Sequence, residues 1–317
     1  MENIDRNTIH TICRNSNWSE VGVENALKEN VYNNALQWQK FLKLFFMSLG
    51  VCFVTLGVIF FFAFNWADLN KFAKLGLVAS LIIATTLFAL FSRLNETIKN
   101  IILTGAAVLV GVLCSVFGQI YQTGANAYDF FLGWTVFIAL WVFVANFAPL
   151  WLLFLGLLNT TLYFYSQQVA HNWSYNSIIF LLVVLNLLFL VAALSISKYN
   201  TSLKSPNWFT NIITLACVSL ATVGISIGIF DEKHPEFYAL LTLTAVFYSI
   251  GFLYGLRKKN LFYLSIIPFS LINIACAELI KISSSQSMIL LITLFIIISV
   301  TLLIKFLLDT QKKWANG

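Results

Sequence analysis

The chain alternates long apolar stretches with short polar connections. Ten of these stretches approach the ~20 residues that a helix needs to cross the hydrocarbon core of a bilayer. They cover residues of about 42–64, 73–91, 101–119, 130–147, 149–166, 175–197, 209–230, 237–255, 261–280 and 287–308. The pattern predicts an all-α fold, a polytopic transmembrane helix bundle of about ten spans.

The segment that precedes the first span is polar, with a thin apolar stripe. Val23, Leu27, Val31 and Ala35 recur every four residues, which is typical of an amphipathic helix. This stripe offers too little apolar surface for an independent core. The chain is therefore predicted to divide into a cytoplasmic helical region, a transmembrane bundle and a cytoplasmic tail at residues 1–40, 41–310 and 311–317.

The amino-acid composition indicates whether the surface of this bundle faces water or lipid. Hydrophobic residues make up 59% of the 317 residues and charged residues only 10%, whereas soluble domains carry about 25% charged residues. So few charges cannot cover a surface that faces water. We therefore expect the lipid bilayer to be the principal partner of this chain.

The distribution of the basic residues predicts how the bundle is oriented in the membrane. With ten spans and the N-terminus inside, only four of the nineteen Lys and Arg residues fall in outer segments, at Lys71, Lys74, Lys233 and Lys281. This bias follows the positive-inside rule, so both termini are predicted to be cytoplasmic, in a bacterial inner membrane. The net charge of +6 is then a topology signal, and no nucleic-acid partner is needed to explain it.

Catalytic signatures are missing from the sequence. It contains no HExxH, no GxSxG and no P-loop motif. Its three histidines have no partner at metal-ligand spacing, and its five cysteines form no CxxC pair. No ionisable residue falls near the centre of a predicted span, where carriers and pumps often hold one. We expect no enzyme activity, no cofactor and no metal site.

The most distinctive polar segment spans residues 118–129, between the third and fourth predicted spans on the predicted outer side. Its candidate site residues are Gln119, Tyr121, Gln122, Asn126 and Asp129. If the third helix continues past its span, Gln119, Gln122 and Asn126 share one helical face. Two interpretations stay open: a polar site at an outer mouth, or an ordered connector whose side chains cap helix ends.

The end of the first span adds two candidates to this outer face, Asn65 and Trp66. Asn65 could reach the 118–129 segment and extend the same polar site. The alternative is an interface anchor, with the Trp66 ring at the headgroup level and Asn65 ending the helix.

Small and neutral polar residues inside the spans predict close helix packing. Ala107, Gly111 and Ser115 share one face of the third span, and glycine pairs separated by four residues occur in the seventh and eighth spans. Neutral polar residues inside the spans are expected to form hydrogen bonds between helices, with Asn186 the deepest of them: Asn159, Thr160, Thr161, Asn186 and Asn273.

Two of these segments carry a family resemblance. The apolar run that ends in Asn65-Trp66, and the run Gly118-Gln119-Ile120-Tyr121-Gln122, resemble signatures of a family of bacterial membrane proteins, domain of unknown function 2157. The resemblance covers roughly residues 10–165. The family's Gly-Asp pair is replaced here, because Ala125 and Asn126 follow Gly124, and the nearest carboxylate is Asp129. The resemblance implies a second multi-span membrane protein as a partner and supplies no activity.

Two functions are consistent with the sequence. The first is a non-catalytic membrane component that acts as a scaffold, a sensor or a partner subunit. The alternative is a transporter or channel for a neutral or weakly polar small solute, with the 118–129 segment at its mouth.

Overall fold

The computed structural model describes residues 6, 9, 12–13, 15–32, 35–64, 69–122, 124, 126–199, 205–231, 234–282 and 286–316. Ten helices among them are long and apolar enough to cross a membrane. The predicted all-α, polytopic bundle is confirmed, since a membrane core admits only elements that satisfy their own backbone hydrogen bonds.

The described helices follow each other with short connections. We number them α1 (Glu20–Asn30), α2 (Ala35–Phe64), α3 (Lys71–Phe91), α4 (Glu96–Tyr121), α5 (Ala127–Ala145), α6 (Ala148–Gln168), α7 (Tyr175–Tyr199), α8 (Asn207–Phe230), α9 (Pro235–Arg257), α10 (Leu261–Ile282) and α11 (Gln286–Asn316). The short helix α1 precedes the ten long ones, and the Ser19 side chain caps it by accepting the Gly22 N–H at 3.2 Å.

The first and last long helices run past the predicted segment boundaries. Helix α2 has 30 residues and α11 has 31, which corresponds to about 45 Å each at about 1.5 Å per residue. Both therefore exceed a hydrocarbon core of about 30 Å. The boundaries near residues 40 and 310 fall inside these helices, and the division into cytoplasmic and membrane segments stays a prediction.

Helix packing divides the bundle into two sets of five. In the first set α4 is central, packing against α2, α3 and α5, and α6 packs on α5. In the second set α8 is central, packing against α7, α9 and α10, and α11 packs on α10. Helix α6 joins the sets through α7 and α8. The four contacting pairs of the first set recur five helices later, at α7–α9, α8–α9, α9–α10 and α10–α11. The second set also has the pairs α7–α8 and α8–α10, which have no counterpart among the well-packed pairs of the first set.

Glycines set the closest helix approaches, as predicted from the small-residue faces. A Cβ at Gly111 of α4 would lie 2.5 Å from the Trp134 ring of α5. The same indole donates to the Ala107 carbonyl at 2.8 Å. A Cβ at Gly224 of α8 would lie 2.3 Å from Ile179 of α7. Backbones approach this closely only where a side chain is missing.

The two edge helices are packed far less than the central ones. In the most apolar window of each span, half of the residues of α8 are buried, compared with 6% for α2 and none for α11. Helix α2 meets the bundle near Gly105 of α4, where an added Cβ would lie 2.6 Å from Val51. Most of the surface of α2 and α11 is therefore left to lipid or to another protein.

Candidate functional site

The 118–129 segment is a short connection between two helices. Helix α4 ends at Tyr121, and Gln122 takes the left-handed conformation with φ of 43°. Gly124 also has a positive φ, of 63°, and Asn126 is the N-cap of α5. A shared helical face for Gln119, Gln122 and Asn126 depended on a longer helix, and that condition is not met, because the chain leaves the helix at Gln122.

Asn126 and Asp129 cap the start of α5. The Asn126 backbone N–H donates to the Asp129 carboxylate at 3.1 Å, in a capping-box arrangement. The Tyr128 N–H donates to the side-chain oxygen of Gln168 at 3.1 Å, which ties this turn to the end of α6. The connector interpretation thus has direct support, because these polar groups satisfy N–H groups that a helix start leaves unpaired.

The same segment forms the polar end of a groove between α4 and α5, with α3 behind it. The cavity has a volume of about 860 Å³. Its lining comprises Ile82, Val110, Leu113, Cys114, Ser115, Phe117, Gly118, Gln119, Gln122, Gly124, Asn126, Ala127, Asp129, Phe130, Gly133, Phe137 and Trp141. The amide and carboxylate side chains all belong to the 118–129 segment, and the remainder is mostly apolar.

The groove extends deep along the helices. Along α5 its lining reaches from Asp129 to Trp141, a rise of about 18 Å at about 1.5 Å per residue. Gly118 on α4 and Gly133 on α5 belong to its walls, and beyond the backbone of its own helix and the adjacent residues no described atom lies within 4 Å of where a Cβ would stand at either. Two missing side chains thus keep the groove open.

The groove brings together four of the seven predicted site residues: Gln119, Gln122, Asn126 and Asp129. Tyr121 does not belong to its lining; its side chain is exposed and contacts the Phe117 ring, with centroids 4.7 Å apart. Asn65 and Trp66 lie outside the described residues. Their part in a polar site, like that of the other five, stays a prediction.

Sequence reasoning missed the apolar part of the groove. Gly133, Phe137 and Trp141 of α5 line it, yet each sits in an apolar run that gives no sign of which face meets a cavity. Gly133 offered the one usable signal, a single glycine within an aromatic-rich helix, where glycine is unfavourable unless space or close approach requires it.

A buried amide pair joins the two helix sets. The Asn186 side-chain N–H of α7 donates to the Asn159 oxygen of α6 at 2.6 Å, and to the Leu182 carbonyl at 2.8 Å. This confirms the predicted interhelical bond for these two residues. Asn273 behaves differently, because it is exposed and donates to the Phe269 carbonyl of its own helix at 3.0 Å. The Thr160 and Thr161 hydroxyls likewise donate within their own helix, to the carbonyls four residues earlier. For Asn273 and these two threonines that expectation is wrong.

The second set contains a buried hydroxyl cluster. The Ser270 hydroxyl of α10 lies 2.6 Å from both the Thr222 hydroxyl of α8 and the Tyr248 hydroxyl of α9. Each group thereby has a partner away from water, which such groups require. Among the described residues, no group of three or more His, Cys, Asp or Glu is placed to hold a metal ion.

A second cavity, of about 770 Å³, lies at the opposite end of the bundle, where α5 and α6 meet α7 and α8. Phe147, Trp151, Phe189 and Trp208 are among its lining residues. The Trp151 indole donates to the Asn146 side chain at 3.2 Å. This cavity is more aromatic than the groove, and the described residues of its lining include no charged one.

Comparison with known proteins adds one finding. The chain matches no curated protein and no solved structure significantly. Residues 22–151 match the model of a family described as "Predicted membrane protein (DUF2157)". This range ends in the first turn of α6, and therefore includes α2 to α5 and the polar segment. The predicted family resemblance is confirmed over residues 22–151, where the chain is similar to this family of predicted membrane proteins.

Proposed function

We propose that this membrane protein is a non-catalytic component of the bacterial inner membrane, a subunit that associates with a second multi-span protein. The observation that carries the proposal is the contrast between a well-packed centre and two unburied edge helices, α2 and α11. Transmembrane helices associate by van der Waals packing and hydrogen bonds, since lipid gives them no hydrophobic drive to leave it. Helices with little packing in their own chain retain the surface that such an association uses.

Helix α2 has the face best suited to a partner helix. Gly50 and Gly57 are seven residues apart, so they lie on nearly the same side of the helix. No described atom lies within 4 Å of where a Cβ would stand at either residue. Small residues on an otherwise Phe-rich helix allow another helix backbone to approach closely.

A matched pair of leucine substitutions tests the association. Gly57→Leu fills the α2 face, whereas Gly156→Leu adds the same side chain at an equally open position of α6. A photoreactive amino acid placed at the exposed Val54, on the same face as Gly50 and Gly57, should form an adduct of defined mass with one membrane protein in native membranes. The adduct should disappear with Gly57→Leu and persist with Gly156→Leu. A purified chain that forms no adduct, or one indifferent to both substitutions, would contradict the proposal.

The proposed orientation has its own test. Both termini are cytoplasmic in this proposal, and the connection between α4 and α5 faces outward. A single cysteine placed at Gly124 in a cysteine-free background should react with a membrane-impermeant maleimide in intact cells. A cysteine at Lys258, in the connection between α9 and α10, should react only after the cells are opened. The reverse labelling would invert the orientation.

The alternative function is transport of a neutral or weakly polar solute. Two observations favour it: the recurrence of four helix contacts after five helices, as in carriers built from two opposed halves, and the groove that opens at the polar segment. We rank it second because the groove beyond Asp129 offers a polar solute mostly apolar walls. Uptake into liposomes by the purified chain, reduced in Gln119→Ala and Asn126→Ala at equal protein level, would favour transport over the subunit function.

A further inference from the structure

The groove between α4 and α5 has one polar end and a long apolar remainder. Gln119, Gln122, Asn126 and Asp129 stand where the helices end, and Val110, Phe137 and Trp141 line the deeper part. In a membrane the ends of spanning helices lie near the headgroups and the middle lies among acyl chains. The polarity of the groove therefore matches that of an amphiphile oriented as a bilayer lipid is.

The groove is long enough to take a hydrocarbon chain. Its volume of about 860 Å³ extends over about 18 Å along α5. A hydrocarbon core about 30 Å thick places the middle of the bilayer about 15 Å from the headgroups. An acyl chain that begins at the polar end can therefore lie along the groove.

The residues at the polar end of the groove favour one kind of lipid headgroup. Among the described lining residues Asp129 is the only charged one, and it shares the polar end with the amide residues Gln119, Gln122 and Asn126. The part of the lining that the structure describes contains no Lys, Arg or His to pair with an isolated phosphate. An ammonium group near Asp129, with amide groups for the adjoining polar atoms, satisfies this end better than a purely anionic headgroup does.

We propose that the α4–α5 groove is a binding site for a zwitterionic phospholipid of the phosphatidylethanolamine type. One acyl chain lies along Gly118, Gly133 and Phe137, and the ammonium group lies at Asp129. This site is independent of the subunit association proposed above, because it uses α4 and α5, whereas that association uses α2.

Photolabelling in nanodiscs tests the site. The full-length protein is placed in nanodiscs of mixed phosphatidylethanolamine and phosphatidylglycerol that contain a trace of phosphatidylethanolamine with a diazirine on its acyl chain. After irradiation, adducts are mapped by mass spectrometry. The expected result is labelling concentrated on the groove-lining peptides of α4 and α5. Gly133→Leu and Gly118→Leu should each lower it by about tenfold, because leucine fills the space that the chain occupies.

Controls make the test decisive. Gly156→Leu adds an equal side chain on the open surface of α6 and should leave groove labelling unchanged, and thermal unfolding shows that each variant is folded. Asp129→Asn should lower labelling by the phosphatidylethanolamine probe relative to a matched phosphatidylglycerol probe. Labelling of α4 and α5 that matches the surface of α6, or that survives both groove leucines in folded protein, would overturn the site. Equal labelling by both probes in the native protein would overturn the headgroup assignment.

Discussion

The amide pair between α6 and α7 gives the sharpest test of how the two helix sets hold together. Asn186 is only 1% exposed, and its side-chain N–H bonds the Asn159 oxygen and the Leu182 carbonyl. Asn186→Leu keeps a side chain of similar size and removes both of these bonds, together with the 3.4 Å bond that the Asn159 side-chain N–H donates to the Asn186 oxygen. The variant also leaves the Asn159 oxygen without this donor.

The magnitude follows from what is lost. Interhelical hydrogen bonds in membrane proteins contribute about 0.6 kcal/mol on average and up to about 1.7 kcal/mol. The 2.6 Å distance and the burial place this pair toward the upper end. We expect Asn186→Leu to lower the free energy of unfolding by about 1–2 kcal/mol. In a double-mutant cycle with Asn159→Leu, the coupling should be about 1 kcal/mol.

Reversible unfolding in mixed micelles with increasing sodium dodecyl sulfate, followed by the fluorescence of the nine tryptophans, provides the measurement. Asn273→Leu is the matched control. The Asn273 amide is exposed, and its hydrogen bond goes to the Phe269 carbonyl of the same helix. If Asn186→Leu and Asn273→Leu agree within about 0.3 kcal/mol, or if the cycle is additive, the pair does not stabilise the junction.

Three further substitutions test other parts of the bundle. Gly111→Ala should lower the free energy of unfolding by about 1–3 kcal/mol, because the new methyl group meets the Trp134 ring. Its control is Gly156→Ala at an open helix position, which should be neutral or stabilising by up to about 1 kcal/mol. Asp129→Ala should cost about 1 kcal/mol by removing the acceptor of the capping bond at the start of α5; no loss would show that the cap is dispensable. Asn176→Leu should leave stability unchanged or raise it, because this fully buried amide has no hydrogen-bond partner among the described residues; a loss above about 1 kcal/mol would mean that the amide is satisfied in the membrane. All three are read from the same micelle titration.

The ten spans were predictable from the sequence because a bilayer imposes one strong rule. A helix that crosses lipid needs about 20 apolar residues, and short polar connections then show where each one stops. Gly111 and Gly224 were identifiable as close-packing positions for a similar reason, since a glycine inside an apolar helix has few other uses. The Asn159–Asn186 bond followed from the cost of leaving an amide unpaired in lipid.

The arrangement of the helices was beyond the sequence. A spanning helix is apolar on all sides, so no amphipathic pattern shows that α8 packs on α10 or that Trp134 meets Gly111. The end of α4 was also missed, because Gln119 and Gln122 look equally polar although the helix stops between them. The groove depends on the distance between α4 and α5, and distances between helices are set by contacts that a single sequence does not reveal.

The order of helix contacts along the chain also affects how the bundle assembles in the membrane. Every well-packed pair of long helices is separated by at most one other helix in the chain. A helix released into the membrane during synthesis therefore finds its partners already there, without waiting for a distant segment. Among the described helices α11 is synthesised last, and its one well-packed neighbour is α10. Assembly can thus proceed in step with translation, with α2 to α6 in place before α7 leaves the ribosome.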